Sequence, residues 1–165
     1  MSVNQFRGDN FYLSNMYQCK VPMRINGKTY QFSSVEAAFQ AHKDPERAGE
    51  FVGIYGKDAK KLGRQVNMRR DWESIKDDIM RDCVRSKFEN NPKLAAKLKS
   101  TEGLLVENNT WGDRYWGMCG GVGQNKLGQI LMEERDVLQN KMVGKGREIP
   151  EIGGESDSLS VEYSR

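Results

Sequence analysis

Apolar and polar residues alternate from Met16 to Phe32, and the alternation breaks at Asn26-Gly27. A period of two predicts half-buried strands, and Asn-Gly fills both positive-φ places of a two-residue turn, so this stretch is predicted to be a β-hairpin. The period then lengthens. After Ser33, a candidate helix cap, Val35, Ala38, Phe39 and His42 recur at helical spacing, which predicts a helix to about Lys43, ahead of Pro45. A second helical pattern covers Trp72 to Phe88, with Ile75, Ile79, Cys83 and Val84 on one face. A third, short helix is predicted after Asn91-Pro92, where Asn caps and Pro takes the first turn, and it turns Leu94 and Leu98 to the core. Leu104-Leu105-Val106 reads as a short buried strand. It leads into an aromatic and glycine-rich stretch from Trp111 to Gly123, the predicted active-site loop, and Leu127, Ile130, Leu131 and Leu138 then mark a last amphipathic helix.

After Met142 the residues become Gly, Glu, Ser and Pro with little that is apolar, a composition that cannot bury enough surface to fold. The expected organisation is one domain over residues 1–142 and a flexible tail over 143–165, in keeping with a chain of 165 residues. The fold class is α+β: a mostly helical domain around a small antiparallel sheet, with the hairpin at its N-terminal side. No internal repeat is visible.

Composition narrows the chemistry. No stretch approaches the roughly 20 apolar residues of a membrane span, and nothing at the N-terminus resembles a secretory signal, so an intracellular protein is expected, cytoplasmic or nuclear, with no membrane partner. Cys19, Cys83 and Cys119 are odd in number and far apart, which argues against disulfide or zinc frameworks. His42 is the only histidine, so sites built on paired histidines are excluded, and no metal or other cofactor is expected. What remains is carboxylates, amines and backbone. The net charge of +3 is mild, but Arg64, Arg69 and Arg70 crowd with Lys57, Lys60 and Lys61, and guanidinium forks match phosphate oxygens in pairs. A phosphorylated ligand is suggested.

Two constellations carry the candidate chemistry. Ser33-x-x-Glu36 is a capping-box pattern, in which Glu36 bonds back to the helix start. Equally, Glu36, Gln40 and Lys43 are four and three residues apart, one stripe about 10 Å long beside the core-facing apolar set, and so placed to line a pocket. Lys43 there is either a solvated amine at a helix end or, in a drier pocket, an amine whose lowered pKa lets it attack a carbonyl-like carbon. His42 reads as a core or boundary histidine. The second constellation is Trp111-Gly112-Asp113-Arg114-Tyr115-Trp116-Gly117 with Gly120-Gly121-Val122-Gly123-Gln124-Asn125. Its rings suit a base or sugar face, or an aromatic core corner, and Asp113 offers a second carboxylate or a salt-bridge partner. The glycines precede a helix, so their N–H groups are candidates to hold an anion, although the P-loop and dinucleotide spacings are absent.

Phe11-Tyr12-Leu13-Ser14-Asn15, the Ser33 to Lys43 helix, Arg64 to Trp72, Lys87-Phe88 and the Asp113 to Asn125 loop together resemble the NADAR, or YbiA-like, family, over roughly residues 6–138 and in the same order. In place of a frequent Phe the chain has Met16, and the aromatic stands one position later at Tyr17. The resemblance implies an α+β fold and hydrolysis of N-glycosidic bonds, on phosphoribosylated intermediates of riboflavin synthesis or on ADP-ribose attached to guanine. It gives Glu36 and Asp113 the acid/base roles and makes Lys43 the pocket amine. Asn15, Trp72, Trp116 and Asn125, with Gly117 in the same loop, would bind the ribose phosphate, and Arg7 would meet a phosphate. Breaking a ribose C1–N bond builds oxocarbenium character that a carboxylate stabilises while another group protonates the nitrogen. With an exocyclic nitrogen the furanose can instead open to an imine into which Lys43 exchanges as a Schiff base. Both routes stay open.

Two other classes compete. A binding module would hold ADP-ribose or a nucleotide without cleaving it, and a nucleic-acid-associated protein would grip phosphates through Lys57 to Arg70, although acidic residues from Asp71 to Asp82 interrupt that basic stripe. No riboflavin-pathway domain accompanies the chain, so ADP-ribosylated guanine in nucleic acid is the expected substrate, with a small phosphoribosyl amine as the alternative.

Overall fold

The structure, a computed structural model, describes residues 2–143. The expected tail therefore lies outside the described residues, apart from Val143 at the end of the last helix.

Strands β1 (Val21–Ile25) and β2 (Lys28–Phe32) pair antiparallel, from Val21 opposite Phe32 to Ile25 opposite Lys28. Asn26 and Gly27 join them at φ 51° and 79°, the left-handed pair that the tight turn demands. Val21, Met23 and Ile25 point inward and are buried, the period of two read from the sequence. Helix α1 (Val35–Ala41) follows, and all seven of its residues are buried. It packs against β1, β2, the 3-10 turn Pro45–Phe51, and the helices α2 (Gly56–Gly63) and α3 (Trp72–Glu89). α2 lies so close that a Cβ on Gly63 would fall 1.9 Å from Gln40 Oε1, and one on Gly56 would fall 2.6 Å from Met16 Sδ. Glycine at both ends of α2 sets that approach. α3, α4 (Pro92–Lys99) and α5 (Lys126–Val143) pack on one another and close the core. The α+β class holds, with one addition: Asn108–Asn109 (β3) pairs in parallel with Met118–Cys119 (β4) and pins the loop between them at both ends.

Local expectations fail at four places. The cap of α1 is Ser34, whose Oγ accepts from the Ala37 N–H at 3.1 Å, while the Ser33 carbonyl is taken by the Cys19 N–H. Without Ser33 as cap there is no capping box, and the Glu36 N–H goes to the Asn15 carbonyl instead. α1 ends at Ala41, so Lys43 stands just beyond it, its N–H on the Gln40 carbonyl and its own carbonyl accepting from Arg69 N–H. Asn91 does not cap α4 with its side chain: its amide donates to the Lys20 and Lys87 carbonyls and ties the hairpin to α3. Leu104-Leu105-Val106 forms no strand. Only Leu105 is buried, through one bridge to Val3, and Leu104 is 58% exposed.

Candidate active site

One cavity of about 520 Å³ gathers the chemistry, a volume in the range of sites that enclose a small ligand. The turn from Phe6 to Met16 forms one wall, α1 the back with Glu36, Phe39 and Gln40, followed by Lys43 just past its end, and α2 contributes Lys57 and Lys60. α3 adds Trp72, Lys76 and Met80, and the β3–β4 region adds Glu107, Asn108, Trp111, Asp113 and Trp116. Phe39 is the keystone of the aromatic part: its ring lies 5.0 Å from Trp72 and meets Trp116 edge-on at 5.4 Å.

The Glu36, Gln40 and Lys43 stripe does line this cavity. Glu36 Oε2 accepts from Gln40 Nε2 at 2.7 Å. Gln40 Oε1, packed against Gly63, is buried without a partner, a penalty of about 1–3 kcal/mol that is tolerated while the amide serves Glu36. Burial raises the Glu36 carboxyl above its usual range, and the Gln40 hydrogen bond with the charges of Lys60 and Lys43 opposes that rise. Lys43 is shifted the other way: loss of water lowers its ammonium pKa, against the pull of Glu36 and with help from Arg64. Its Nζ stands 5.9 Å from the Trp72 ring centre. His42, one residue back, is buried with Nδ1 2.7 Å from the Ala38 carbonyl, and burial lowers its pKa to about 4. It is a core histidine.

The loop after β3 is organised by Asp113 as much as it presents it. Asp113 Oδ1 accepts from the Tyr115 and Trp116 N–H groups at 3.0 and 2.9 Å, and Asn109 clamps Asp113 from both backbone sides. Asn15, Trp72, Trp116 and Arg7 all line the cavity; Gly117 and Asn125 do not. Asn125, at φ 51°, uses its side chain on the Glu107 N–H and the Leu105 carbonyl, and Gly117 is required because a Cβ there would lie 2.3 Å from the Glu107 carbonyl. Both brace Glu107, a carboxylate that the sequence reading passed over. Burial, with Asp113 and Glu36 nearby, pushes Glu107 up to about 7. A signal for it existed: two residues after the buried Leu105, an extended chain points Glu107 to the same inner side.

The positive charge is also distributed differently from the expectation. Arg64, Arg69 and Arg70 are absent from the lining, and Arg69 is spent on a two-pronged contact with Asp71. Lysines and Arg7 bring positive charge to the cavity instead. Among the described residues, Arg7, Lys43, Lys57 and Lys60 line the cavity with no carboxylate at ion-pair distance. At the start of α5 the N–H groups of Asn125, Lys126 and Leu127 are taken by the Gly117, Tyr115 and Trp116 carbonyls, and the glycines before them do not line the cavity. Among the described residues, no group of three His, Cys, Asp or Glu is placed to hold a metal ion, and no helix is long and apolar enough to cross a membrane.

An amine stripped of water, three carboxylates and unneutralised cations in one aromatic cavity suit cleavage of a bond at a phosphorylated sugar. Comparison with known proteins supports cleavage of an N-glycosidic bond. The family model described as the NADAR domain matches residues 4–139. N-glycosidase YbiA of Escherichia coli K12 is 37% identical over 123 residues, 71% of this chain and 76% of that protein. A riboflavin biosynthesis protein of Vibrio vulnificus is 36% identical over 135 residues, 78% of this chain and 35% of that protein. The NMR structure of E. coli YbiA superposes with a TM-score of 0.70 at 33% identity, covering 87% of this chain and 86% of that one. The chain thus belongs to the NADAR domain family.

Proposed function

We propose that this chain, an N-glycosidase, removes ADP-ribose from guanine bases in nucleic acid, with Lys43 as the nucleophile and Glu36 and Asp113 as the acid/base carboxylates. The observation that carries this reading is the cation row of Arg7, Lys57 and Lys60, free of carboxylate partners among the described residues, in the cavity that holds Lys43. Phosphate oxygens are the natural counter-charge. Trp111 and Phe11, 56% and 41% exposed, also line that cavity, and their rings offer stacking faces to a base beyond the ribose.

The lowered pKa of Lys43 favours the Schiff-base route. The furanose opens to an imine between C1 and the exocyclic nitrogen of the base. The neutral Lys43 amine adds to C1, the protonated base amine departs with the C–N electron pair, and Lys43 is left as the imine. Water then adds to C1 and releases the free sugar and the amine. Glu36, beside Lys43, stabilises the cationic species along this path.

A second reading is hydrolysis of a phosphoribosyl amine of riboflavin synthesis, favoured by the name of the Vibrio vulnificus relative. One experiment separates them: incubate the pure protein with an ADP-ribosylated guanine oligonucleotide and with aminopyrimidine ribose phosphate. The proposal expects kcat/KM to favour the oligonucleotide by at least about tenfold, a difference of about 1.4 kcal/mol in transition-state binding. Preference for the pyrimidine overturns it.

A further inference from the structure

Both routes across the C1–N bond need a proton on the departing nitrogen, and Glu36 and Asp113 each have one carboxylate oxygen already engaged. Glu36 accepts the Gln40 amide at 2.7 Å, with Lys43 and Lys60 near it. Asp113 accepts two backbone N–H groups on Oδ1. The Glu107 side chain lines the same cavity and has no hydrogen-bond partner among the described residues. Its backbone is nevertheless fixed from both sides, the N–H on Asn125 Oδ1 at 3.0 Å and the carbonyl accepting from Met118 N–H at 2.9 Å. A carboxyl on a rigid mount with an unoccupied head is what a proton donor requires.

We propose that Glu107 is the catalytic acid that protonates the departing nitrogen. The proton passes from a Glu107 oxygen to that nitrogen as the C1–N electron pair collapses onto it. Water supplies hydroxyl to C1, and the second proton of that water restores the acid. The assignment rests on the N-glycosidase reading and not on the choice between guanine and pyrimidine, since both leave as amines.

The electrostatics support it. Asp113, on the same loop, and Glu36, on α1, both disfavour a charge on Glu107, and only Lys60, on α2, favours one; with burial, the carboxyl stays about half protonated near pH 7. Three carboxylates share a site but not an environment, and such a separation divides acid from base.

The test is Glu107→Gln, which keeps shape and removes the acid. On whichever substrate the wild type cleaves, turnover is expected to fall about 10²–10⁴-fold. The wild-type rate is also expected to drop as pH rises through about 7, as Glu107 loses its proton, and this limb is lost in the variant. A substrate whose leaving amine is less basic should recover at least about tenfold of the loss, because it departs with less protonation. Wild-type minus variant infrared spectra give a reading without substrate: a protonated carboxyl band that titrates near neutral pH. Full turnover in the variant, an unchanged alkaline limb, or no titrating band overturns the assignment. The choice of preferred substrate, measured in the wild type alone, leaves it untouched.

Discussion

Lys43 and Lys87 both lose water on folding, and for both burial lowers the ammonium pKa, yet they sit in two very different places. Lys87, in the last turn of α3, is 1% exposed. Its Nζ donates to the Ser14 carbonyl at 3.1 Å and lies 5.8 Å and 5.3 Å from the centres of the Tyr17 and Phe88 rings. It holds the turn whose next residue, Asn15, receives the Glu36 N–H. Lys43 is half-buried, opens on the cavity, and faces Glu36 and Trp72. Burial therefore lowers the pKa of two lysines in this protein to different ends: one braces the interior, and the other opens on the cavity. Access and a carboxylate at hand separate the second from the first.

Breaking the comparison at Lys43 gives the largest expected effect. Lys43→Arg keeps the charge but not a readily deprotonated amine, so turnover should fall about 10²–10⁴-fold with the melting temperature nearly unchanged. Normal turnover would reduce Lys43 to a binding cation. Glu36→Gln comes next, with a loss of about two orders of magnitude and no loss of fold, because Ser34 and not a capping box starts the helix. A lowered melting temperature with activity retained would return Glu36 to a structural role.

Lys87→Met sharpens the comparison from the other side: turnover per folded molecule should stay within a few-fold, and the effect should appear in stability. Lys87 is lowered from 10.5 to about 8, so between those values the unfolded chain binds more protons than the folded one. Wild-type stability should then rise relative to Lys87→Met by about 2 kcal/mol between pH 8 and pH 10. Parallel denaturation curves across that window would contradict the brace. His42 should act in acid. Its pKa falls from 6.5 to about 4 on folding, so stability is full above about 6.5 and is lost towards 4. The loss is about 2 kcal/mol by pH 5, and His42→Gln should flatten it in urea titrations. The smallest effect is expected from exhaustive EDTA, which should leave turnover unchanged; activity lost and then restored by a divalent metal would contradict chemistry by amine and carboxylate.

Some of this was legible in the chain. Alternation and Asn26-Gly27 specify the hairpin, because turn chemistry and strand period are local. The stripe on α1 was legible because the spacing of three and four residues is the helix's own. Tertiary contacts decided the rest. Ser33 and Ser34 are equivalent caps until the Cys19 N–H claims the Ser33 carbonyl. The arginines looked better suited to phosphate than the lysines, but Lys57 and Lys60 point from α2 into the cavity while Arg69 turns to Asp71. Asn125 and Gly117 read as ligand contacts, and only the fold reveals that they carry Glu107.

The central claim is that Lys43 is the reachable amine and Lys87 is not, and borohydride tests it most directly. Added during turnover, it should reduce the imine and fix the sugar to the protein, as ADP-ribose from the guanine substrate or ribose phosphate from the pyrimidine. Peptide mass spectrometry should then find the adduct on Lys43, none on Lys87, and none in Lys43→Arg, with free reducing sugar run as the control for slow modification of exposed lysines. Turnover under borohydride with no site-selective adduct on Lys43, or the same adduct in Lys43→Arg, would contradict the account and leave direct carboxylate-assisted hydrolysis, with no covalent step at Lys43, in its place.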